Sequence, residues 1–427
     1  MRIALCNLGC AKNQVDGESM AGWLITAGHR MVKRYEDADA ILVNTCAFIQ
    51  EAKQEAINTI LQLAQYKRAG ACRLLAVCGC LSERYRASAA PALPEVDHWF
   101  GVHTWRAEMA KVFGRPALRK PPVRRLAAPG PAQYLKIAEG CSRRCSFCSI
   151  PAIRGPYRSR PAGDLVAEAR WLAGRGTVEC ILVSQDTSAY GRDRGTSLVR
   201  LVERLLRETS LRRLRLMYLH PGEIDDGILS LMAADERVCR YVDIPLQHVA
   251  GPVLRCMRRS PGTEDGARRL VERIRERVPG VAIRSTFIVG FPGETESHFA
   301  RLLRFLEWAR IEHAGVFAFS PEEGTAAYVM RPAVHGTVAQ RRCREFMETQ
   351  REISRSIGRA RVGTEAAVLI EGRSLEHTGC SEGRTEWDAP EVDGVVHVRG
   401  ARLRPGALVR VRITGADAYD LCAEALD

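Results

Sequence analysis

At 427 residues the chain is too long for one hydrophobic core, and its length implies roughly two to four domains. Hydrophobic residues at 46% and charged residues at 26% place it among soluble globular proteins rather than fibrous or low-complexity chains. The net charge of +13, from 63 Lys and Arg against 50 Asp and Glu, favours an acidic or nucleic-acid-bearing partner. Arg dominates the basic residues, so composition bias contributes and the charge carries little weight alone. Fifteen cysteines, an odd number in a long chain, exclude a secreted disulfide framework. The apolar opening run breaks at Cys6-Asn7, too short for a secretory signal, and no stretch is long enough to cross a bilayer. The expectation is a cytoplasmic monomer with reduced thiols, several of them ligands.

Residues 1–113 alternate strand and helix patterns. Apolar runs at 2–6, 40–43 and 73–77 read as buried strands, and 14–27 and 49–64 as helices, which predicts a parallel α/β sheet. Each strand ends the same way, in Leu8-Gly9-Cys10, Asn44-Thr45-Cys46 and Cys78-Gly79-Cys80. Ligands of open α/β sheets bind beyond the carboxyl ends of the strands. Three loops therefore deliver Cys10, Cys46 and Cys80 to one edge, a three-thiol constellation built from distant positions. Cys6 and Cys78 fall on strands and read as small core residues. Residues 114–131, with five prolines and five basic side chains, read as a stiff, solvated linker.

A second β/α series follows, with strands predicted at 134–138, 180–183, 213–218, 241–244, 281–289 and 314–319. Six units suggest a partial TIM-like (β/α)6 barrel over 132–357, whose functional groups gather at the carboxyl strand ends. Gln185, Asp186, Gln247, His248 and Glu294 lie at such ends, and as a ring they form a candidate cofactor pocket. The first strand runs into Gly140-Cys141-Ser142-Arg143-Arg144-Cys145-Ser146-Phe147-Cys148. Thiolates at C-x₃-C-x₂-C spacing in one short loop suit an iron–sulfur cluster. A structural zinc loop is the competing reading, but such sites close four ligands, often as C-x₂-C pairs, and no fourth Cys is near. Residues 358–427 change pattern to short strands at 366–370, 395–398 and 408–413, a small all-β OB-like module.

The nine-residue loop resembles the signature of radical S-adenosylmethionine (AdoMet) enzymes. Taken in order, the motifs resemble the methylthiotransferase family over essentially the whole chain. They run from Leu8-Gly9-Cys10-Ala11-Lys12-Asn13 through Ile244-Pro245-Leu246-Gln247-His248 to Gly290-Phe291-Pro292-Gly293-Glu294-Thr295. That resemblance implies a 4Fe–4S cluster on Cys141, Cys145 and Cys148 and an auxiliary 4Fe–4S cluster on Cys10, Cys46 and Cys80. It also implies AdoMet as cofactor, external electron and sulfur donors, and a C-terminal TRAM module. Many radical-AdoMet enzymes carry Gly-Gly-Glu after the second strand, whereas Ser184-Gln185-Asp186-Thr187 stands here.

The family has two substrate branches. One modifies adenosines beside the tRNA anticodon, and the other the β-carbon of an aspartate in ribosomal protein uS12. Three stretches resemble the uS12 branch, namely Asn44-Thr45-Cys46-Ala47-Phe48-Ile49, Trp387-Asp388-Ala389-Pro390-Glu391-Val392-Asp393-Gly394 and Asp417-Ala418-Tyr419-Asp420-Leu421. Residues 359–427 hold nine Arg and twelve Asp or Glu, a net −3. A module that grips RNA should be basic, and an acidic one better suits a basic protein partner. Asp388, Glu391 and Asp393 are therefore the candidate substrate contacts. A tRNA-modifying enzyme and a non-catalytic iron–sulfur protein are the alternatives.

Overall fold

A computed structural model describes residues 1–70, 72–116, 124–400 and 403–426. The chain divides into two compact units, each described separately. The first comprises residues 1–129, 139–143 and 148–158. Its elements are β1 (Arg2–Asn7), α1 (Ala11–Thr26), β2 (Arg30–Val32), β3 (Ala40–Thr45), α2 (Gln50–Arg68), β4 (Leu74–Gly79), α3 (Cys80–Ala92), β5 (His98–Phe100) and α4 (Trp105–Phe113). The five strands form a parallel sheet in the order β2-β1-β3-β4-β5.

Successive side chains of a strand face opposite sides, and both faces are covered here. Ile41, Val43, Leu75 and Val77 pack with Ala56 and Ile60 of α2 and Leu81 of α3. Ile3, Leu42, Ala76 and Cys78 pack instead with Met20, Trp23 and Leu24 of α1 and Met109 of α4. Burial on both faces is why the central strands read as unbroken apolar runs. The edge strands β2 and β5 have three residues each, too few to show a period.

Residues 117–123 of the expected linker lie outside the described residues. In the segment after them, residues 125 and 127–129 are exposed, as expected of a solvated linker, but Arg124 is not. Arg124 is buried and pairs with buried Glu18 of α1 at 3.5 Å. The Arg125 and Ala127 N–H groups donate to the Glu18 carbonyl and carboxylate at 2.9 and 3.0 Å. A buried carboxylate needs partners, and this stretch supplies them.

The second unit comprises residues 130–138, 144–147 and 159–427. It opens with β6 (Ala132–Lys136). Over the following residues the chain forms β7 (Ala138–Glu139), α5 (Ile150–Arg154) and β8 (Arg158–Ser159), with α5 counted in the first unit. The series continues as α6 (Ala162–Ala173), β9 (Glu179–Val183), α7 (Leu198–Glu208), β10 (Arg213–Leu216), α8 (Asp226–Ala234), β11 (Tyr241–Asp243), α9 (Gly251–Met257), α10 (Glu264–Arg277), β12 (Ala282–Val289), α11 (Glu296–Ala309), β13 (His313–Ala318) and α12 (Gly336–Arg361). Strands β6, β9 and β10 pair in parallel, as do β11, β12 and β13. A parallel bridge from Leu214 to Val238 links the two groups. The result is six parallel strands in chain order, as expected for a partial TIM-like barrel.

The outer helices follow the 3.6-residue period. In α7, Leu198, Leu201, Val202 and Leu205 are buried, and the Ser197 hydroxyl accepts from the Arg200 N–H at 3.3 Å as N-cap. Helix α12 runs to Arg361, past the expected boundary at 357, because its amphipathic pattern continues through Ile353 and Gly358. The last five strands, β14 (Glu365–Arg373), β15 (Cys380–Arg384), β16 (Val396–Arg399), β17 (Leu408–Ala416) and β18 (Leu421–Ala425), close a barrel in the order β14-β15-β16-β18-β17. Val368, Ile370, Val396, Val398, Val411 and Ile413 fill its core.

Candidate metal centres

Strands β1, β3 and β4 are neighbours whose carboxyl ends lie at one level, since Asn7 pairs with Asn44 and Thr45 with Gly79. Cys10 is the N-cap of α1, Cys46 directly follows β3, and Cys80 opens α3. The first loop passes over Cys46 only because residue 9 is glycine. Its φ is +87°, and a Cβ there would stand 2.7 Å from the Cys46 Cβ and 3.1 Å from its Sγ. The first two loops are tied together by side-chain amides. Asn44 Nδ2 donates to the Asn13 carbonyl at 2.7 Å and to Asn7 Oδ1 at 3.0 Å, while Asn13 Nδ2 donates to the Leu8 carbonyl at 2.6 Å.

Arg154, on α5 and six residues beyond Cys148, completes this site. Its side chain is buried. Nη2 donates to the Cys80 Sγ at 3.4 Å and to Asn13 Oδ1 at 3.0 Å. Nη1 donates to Asp16 at 2.5 Å and to Glu139 at 3.3 Å. Burial raises the Cys80 thiol, with Arg154 opposing. Burial and the neighbouring Cys80 push Cys46 up to about 11. At Cys10, on the lip of the site, the surrounding protein acts to raise the thiol, but Lys12, the Asn13 N–H and Arg154 prevail and leave it lowered. Three thiols on glycine-permitted loops, with a charged N–H donor on the deepest sulfur, suit an iron–sulfur cluster, whose properties depend on hydrogen bonds to sulfur. Cys78 faces the opposite side of the sheet, with its Sγ 3.4 Å from Met20 Sδ, as a core residue.

Of the 140–148 loop, residues 140–143 and 148 belong to the first unit and 144–147 to the second. In the first, Gly140 has φ +75°, and a Cβ would meet the carbonyl oxygens of Pro156, Gly155 and Arg154 at 2.3, 2.5 and 2.8 Å. The Cys141 N–H donates to the Gly155 carbonyl at 3.1 Å, and the Arg143 N–H to the Cys141 Sγ at 3.4 Å. In the second, the Ser146 N–H and Oγ donate to the Met257 and Cys256 carbonyls at 3.0 and 2.7 Å. Phe147 packs on Ala250, Val253, Met257, Phe291 and Ala327. Arg259 donates Nη1 to the Cys145 Sγ at 3.7 Å and Nη2 to the Pro245 carbonyl at 2.8 Å. Sequence reading missed Arg154 and Arg259, since neither belongs to a cysteine motif.

Among the five pocket candidates, Gln185 and Asp186 follow β9, and Asp186 is buried. Gln247 has φ +69°, and its N–H and C=O pair with Thr286 and Ile288. His248 and Glu294, expected in the same ring, pair with each other. The His248 Nδ1 accepts from the Val249 and Ala250 N–H groups at 2.9 Å, and its Nε2 lies 3.4 Å from Glu294 Oε1. The other Glu294 oxygen accepts from the Gly290 N–H and from Arg342 Nη1, the latter at 3.1 Å. Both side chains are fully buried and use their polar atoms on each other and on the 290–294 turn. Their side chains hold the 290–294 turn.

The substrate candidates need a similar correction. Asp393 accepts from the Tyr241 hydroxyl at 2.6 Å and lies 3.4 Å from Arg284 Nε. Asp388 accepts from Thr385 Oγ1 at 2.5 Å and lies 3.5 Å from His313 Nε2. Both side chains are buried. Glu391 is exposed, yet accepts from the Tyr134 hydroxyl at 3.2 Å. Tyr134, Tyr241, Arg284 and His313 lie on barrel strands, so these acids dock the C-terminal module on the barrel. Asp388 and Asp393 cannot receive a substrate loop without breaking that docking.

Glu179, the first residue of β9, anchors the same contact. Arg215 Nε reaches it at 2.7 Å and Arg384 at 3.4 Å, all three side chains being fully or nearly fully buried. Burial alone would raise its carboxyl, but Arg215, Arg384 and Arg213 outweigh that and hold it at about 2. A depressed carboxyl stabilises the fold above the ordinary carboxylate range, and that stabilisation is lost as pH falls toward 2. Glu179→Gln leaves the buried Arg215 guanidinium without its carboxylate, while Arg384 keeps Glu371 at 2.7 Å, and is expected to cost about 3–5 kcal/mol. Urea unfolding should register this at neutral pH, with a smaller difference from wild type under acid. An unchanged midpoint at neutral pH would disprove the anchoring role.

Comparison with known proteins adds the following. Residues 2–101 match the family described as "Uncharacterized protein family UPF0004", residues 135–306 the "Radical SAM superfamily" and residues 362–426 the "TRAM domain". The chain is 47% identical to the ribosomal protein uS12 methylthiotransferase RimO of Desulforudis audaxviator, over 100% of this chain and 97% of that protein. It is 44% identical to the protein of the same name from Sorangium cellulosum, over 100% and 91%. Among solved structures it resembles TsrM from Kitasatospora setae, a radical S-adenosylmethionine methyltransferase with cobalamin and a [4Fe-4S] cluster bound. The TM-score is 0.54 at 15% identity, over 86% of this chain and 80% of that one, a likeness of fold.

Proposed function

The chain belongs to the RimO family of ribosomal protein uS12 methylthiotransferases, and we propose that it places a methylthio group on the β-carbon of an aspartate in uS12. The observation that carries this reading is full-length similarity, at 47% identity, to a protein of that name. Two separate three-thiol sets support it. In this reading Cys141, Cys145 and Cys148 hold one 4Fe–4S cluster, and Cys10, Cys46 and Cys80 hold a second. AdoMet lies against the strand-end residues Gln185, Asp186 and Gln247. When bound, these groups supply a 5′-deoxyadenosyl radical, the inserted sulfur and the methyl group, with electrons and sulfur from external donors.

The protein's own residues do the positioning. Cys141, Cys145 and Cys148 would hold the cluster on the 140–148 loop, and the cluster would supply the electron that cleaves AdoMet. Arg259 fixes Cys145 from the barrel side, and Gly140 lets the loop turn tightly against the 154–156 backbone. Arg154 balances the charge of the buried thiolate at Cys80. The target C–H is barely acidic, so a positioned acid/base pair would not break it, which is why radical chemistry is required. A monomer working in the cytoplasm on a basic protein fits this reading. No helix among the described residues is long and apolar enough to cross a membrane.

The test is mass spectrometry of uS12 and of tRNA after anaerobic incubation with reconstituted enzyme, AdoMet, reductant and sulfide. A methylthio gain on uS12 is expected. The same gain on tRNA with uS12 unmodified would replace this reading with the tRNA-modifying one.

A further inference from the structure

We propose that Glu376, His377 and His397 of the C-terminal barrel bind one divalent transition-metal ion, with zinc the expected occupant. This site uses no thiol and is separate from both cysteine sets. Strand β14 leads into a loop at 374–379 that is closed at its base. The Ser374 N–H donates to the Cys380 carbonyl at 3.0 Å, and the Cys380 N–H to the His377 carbonyl at 3.1 Å. The closure sets Glu376 and His377 over His397 of β16. The two imidazole centroids are 4.2 Å apart. His397 Nε2 lies 3.8 Å from Glu376 Oε2, and one ligand atom from each residue lies within 4.8 Å of the others.

The two ring nitrogens of His397 face different partners, Nδ1 toward Ser374 and Nε2 toward Glu376. Its ring is buried, at 4% exposure, while Glu376 and His377 are exposed. Ser374 Oγ stands 3.1 Å from His397 Nδ1 and accepts from the His377 N–H at 3.0 Å. The hydroxyl oxygen has two lone pairs, so it can accept from the His377 N–H and from a protonated Nδ1 together. The Nε2 lone pair then faces Glu376. A metal on Nε2 would select this tautomer, with Ser374 as the outer-sphere partner that orients the ring. Two imidazoles and a carboxylate, with water as fourth ligand, suit zinc at Zn–N distances of about 2.0–2.1 Å. Bound metal would clip the 374–379 loop onto β16. A solvated histidine pair beside a carboxylate is the competing explanation. It predicts no stoichiometric metal.

The test uses the cluster-loaded full-length protein, dialysed anaerobically against buffered submicromolar free zinc, with zinc and iron counted by elemental analysis. Wild type should retain about one zinc ion more per chain than His377→Ala, with iron equal in the two. His377 is exposed, so that variant should fold. Ser374→Ala, which removes the partner of His397 Nδ1 together with the acceptor of the His377 N–H and spares all three ligands, should weaken zinc binding about 10- to 100-fold. A wild type that retains no more zinc than His377→Ala overturns the proposal.

Discussion

Protein with Cys141, Cys145 and Cys148 all changed to alanine is expected to release no 5′-deoxyadenosine from AdoMet above background. Its iron should fall from roughly eight to roughly four per chain, the loss of one four-iron cluster. The complementary triple change at Cys10, Cys46 and Cys80 should remove the same amount of iron and leave AdoMet cleavage in place. The asymmetry follows from the two ligand sets. The first lies on one contiguous loop, fixed by Cys141 hydrogen bonding to Gly155 and by Ser146 hydrogen bonding to Met257. The second is spread over three strand ends. Anaerobic iron assay with chromatographic detection of 5′-deoxyadenosine reads both. Residual cleavage by the first variant would remove the radical-generating role from the 140–148 loop. A full iron load in the second would show that its thiols are not ligands.

The parts of this fold legible in the sequence are those with a local cause. Strands β3 and β4 are buried on both faces and read as apolar runs, and the cysteine loops announce themselves by spacing. The three-residue edge strands β2 and β5 carry no period, and α3 begins at a cysteine that spacing alone assigns to a loop. Asp388 and Asp393 were misread for a different reason. An acidic stretch beside Trp387 looks the same locally whether it faces solvent or a row of barrel residues. Only the fold brings Tyr241, Arg284 and His313 to meet it. The same holds for His248 and Glu294, whose mutual pairing spans 46 residues of sequence. Arginine is the least legible residue here. Arg154, Arg259 and Arg342 each settle a buried polar site through distant partners, and in a chain rich in arginine none stands out.

The second large effect is expected at Arg154. Its guanidinium serves Cys80, Asn13, Asp16 and Glu139 at once. Arg154→Met removes the charge while keeping much of the volume. It leaves Asp16 without this partner, but Asp16 is 20% exposed and water can solvate it, so the cost should fall below the roughly 3–5 kcal/mol of a fully buried broken pair. It also removes a cation that favours the thiolate forms of Cys10, Cys46 and Cys80. Iron held by that trio should therefore fall in the variant, while iron on the 140–148 loop is retained. Arg154→Lys keeps the charge, but one ammonium cannot reproduce a planar fork reaching four partners. It should recover part of the unfolding midpoint and less of the iron. Any auxiliary cluster that still assembles in Arg154→Met should have a more negative reduction potential, because a cation and its N–H···S bond favour the reduced state. Thermal unfolding, iron analysis and potentiometric spin-resonance titration separate these effects. A methionine variant with wild-type midpoint, iron and potential would show that the guanidinium is a bystander to the thiols it touches.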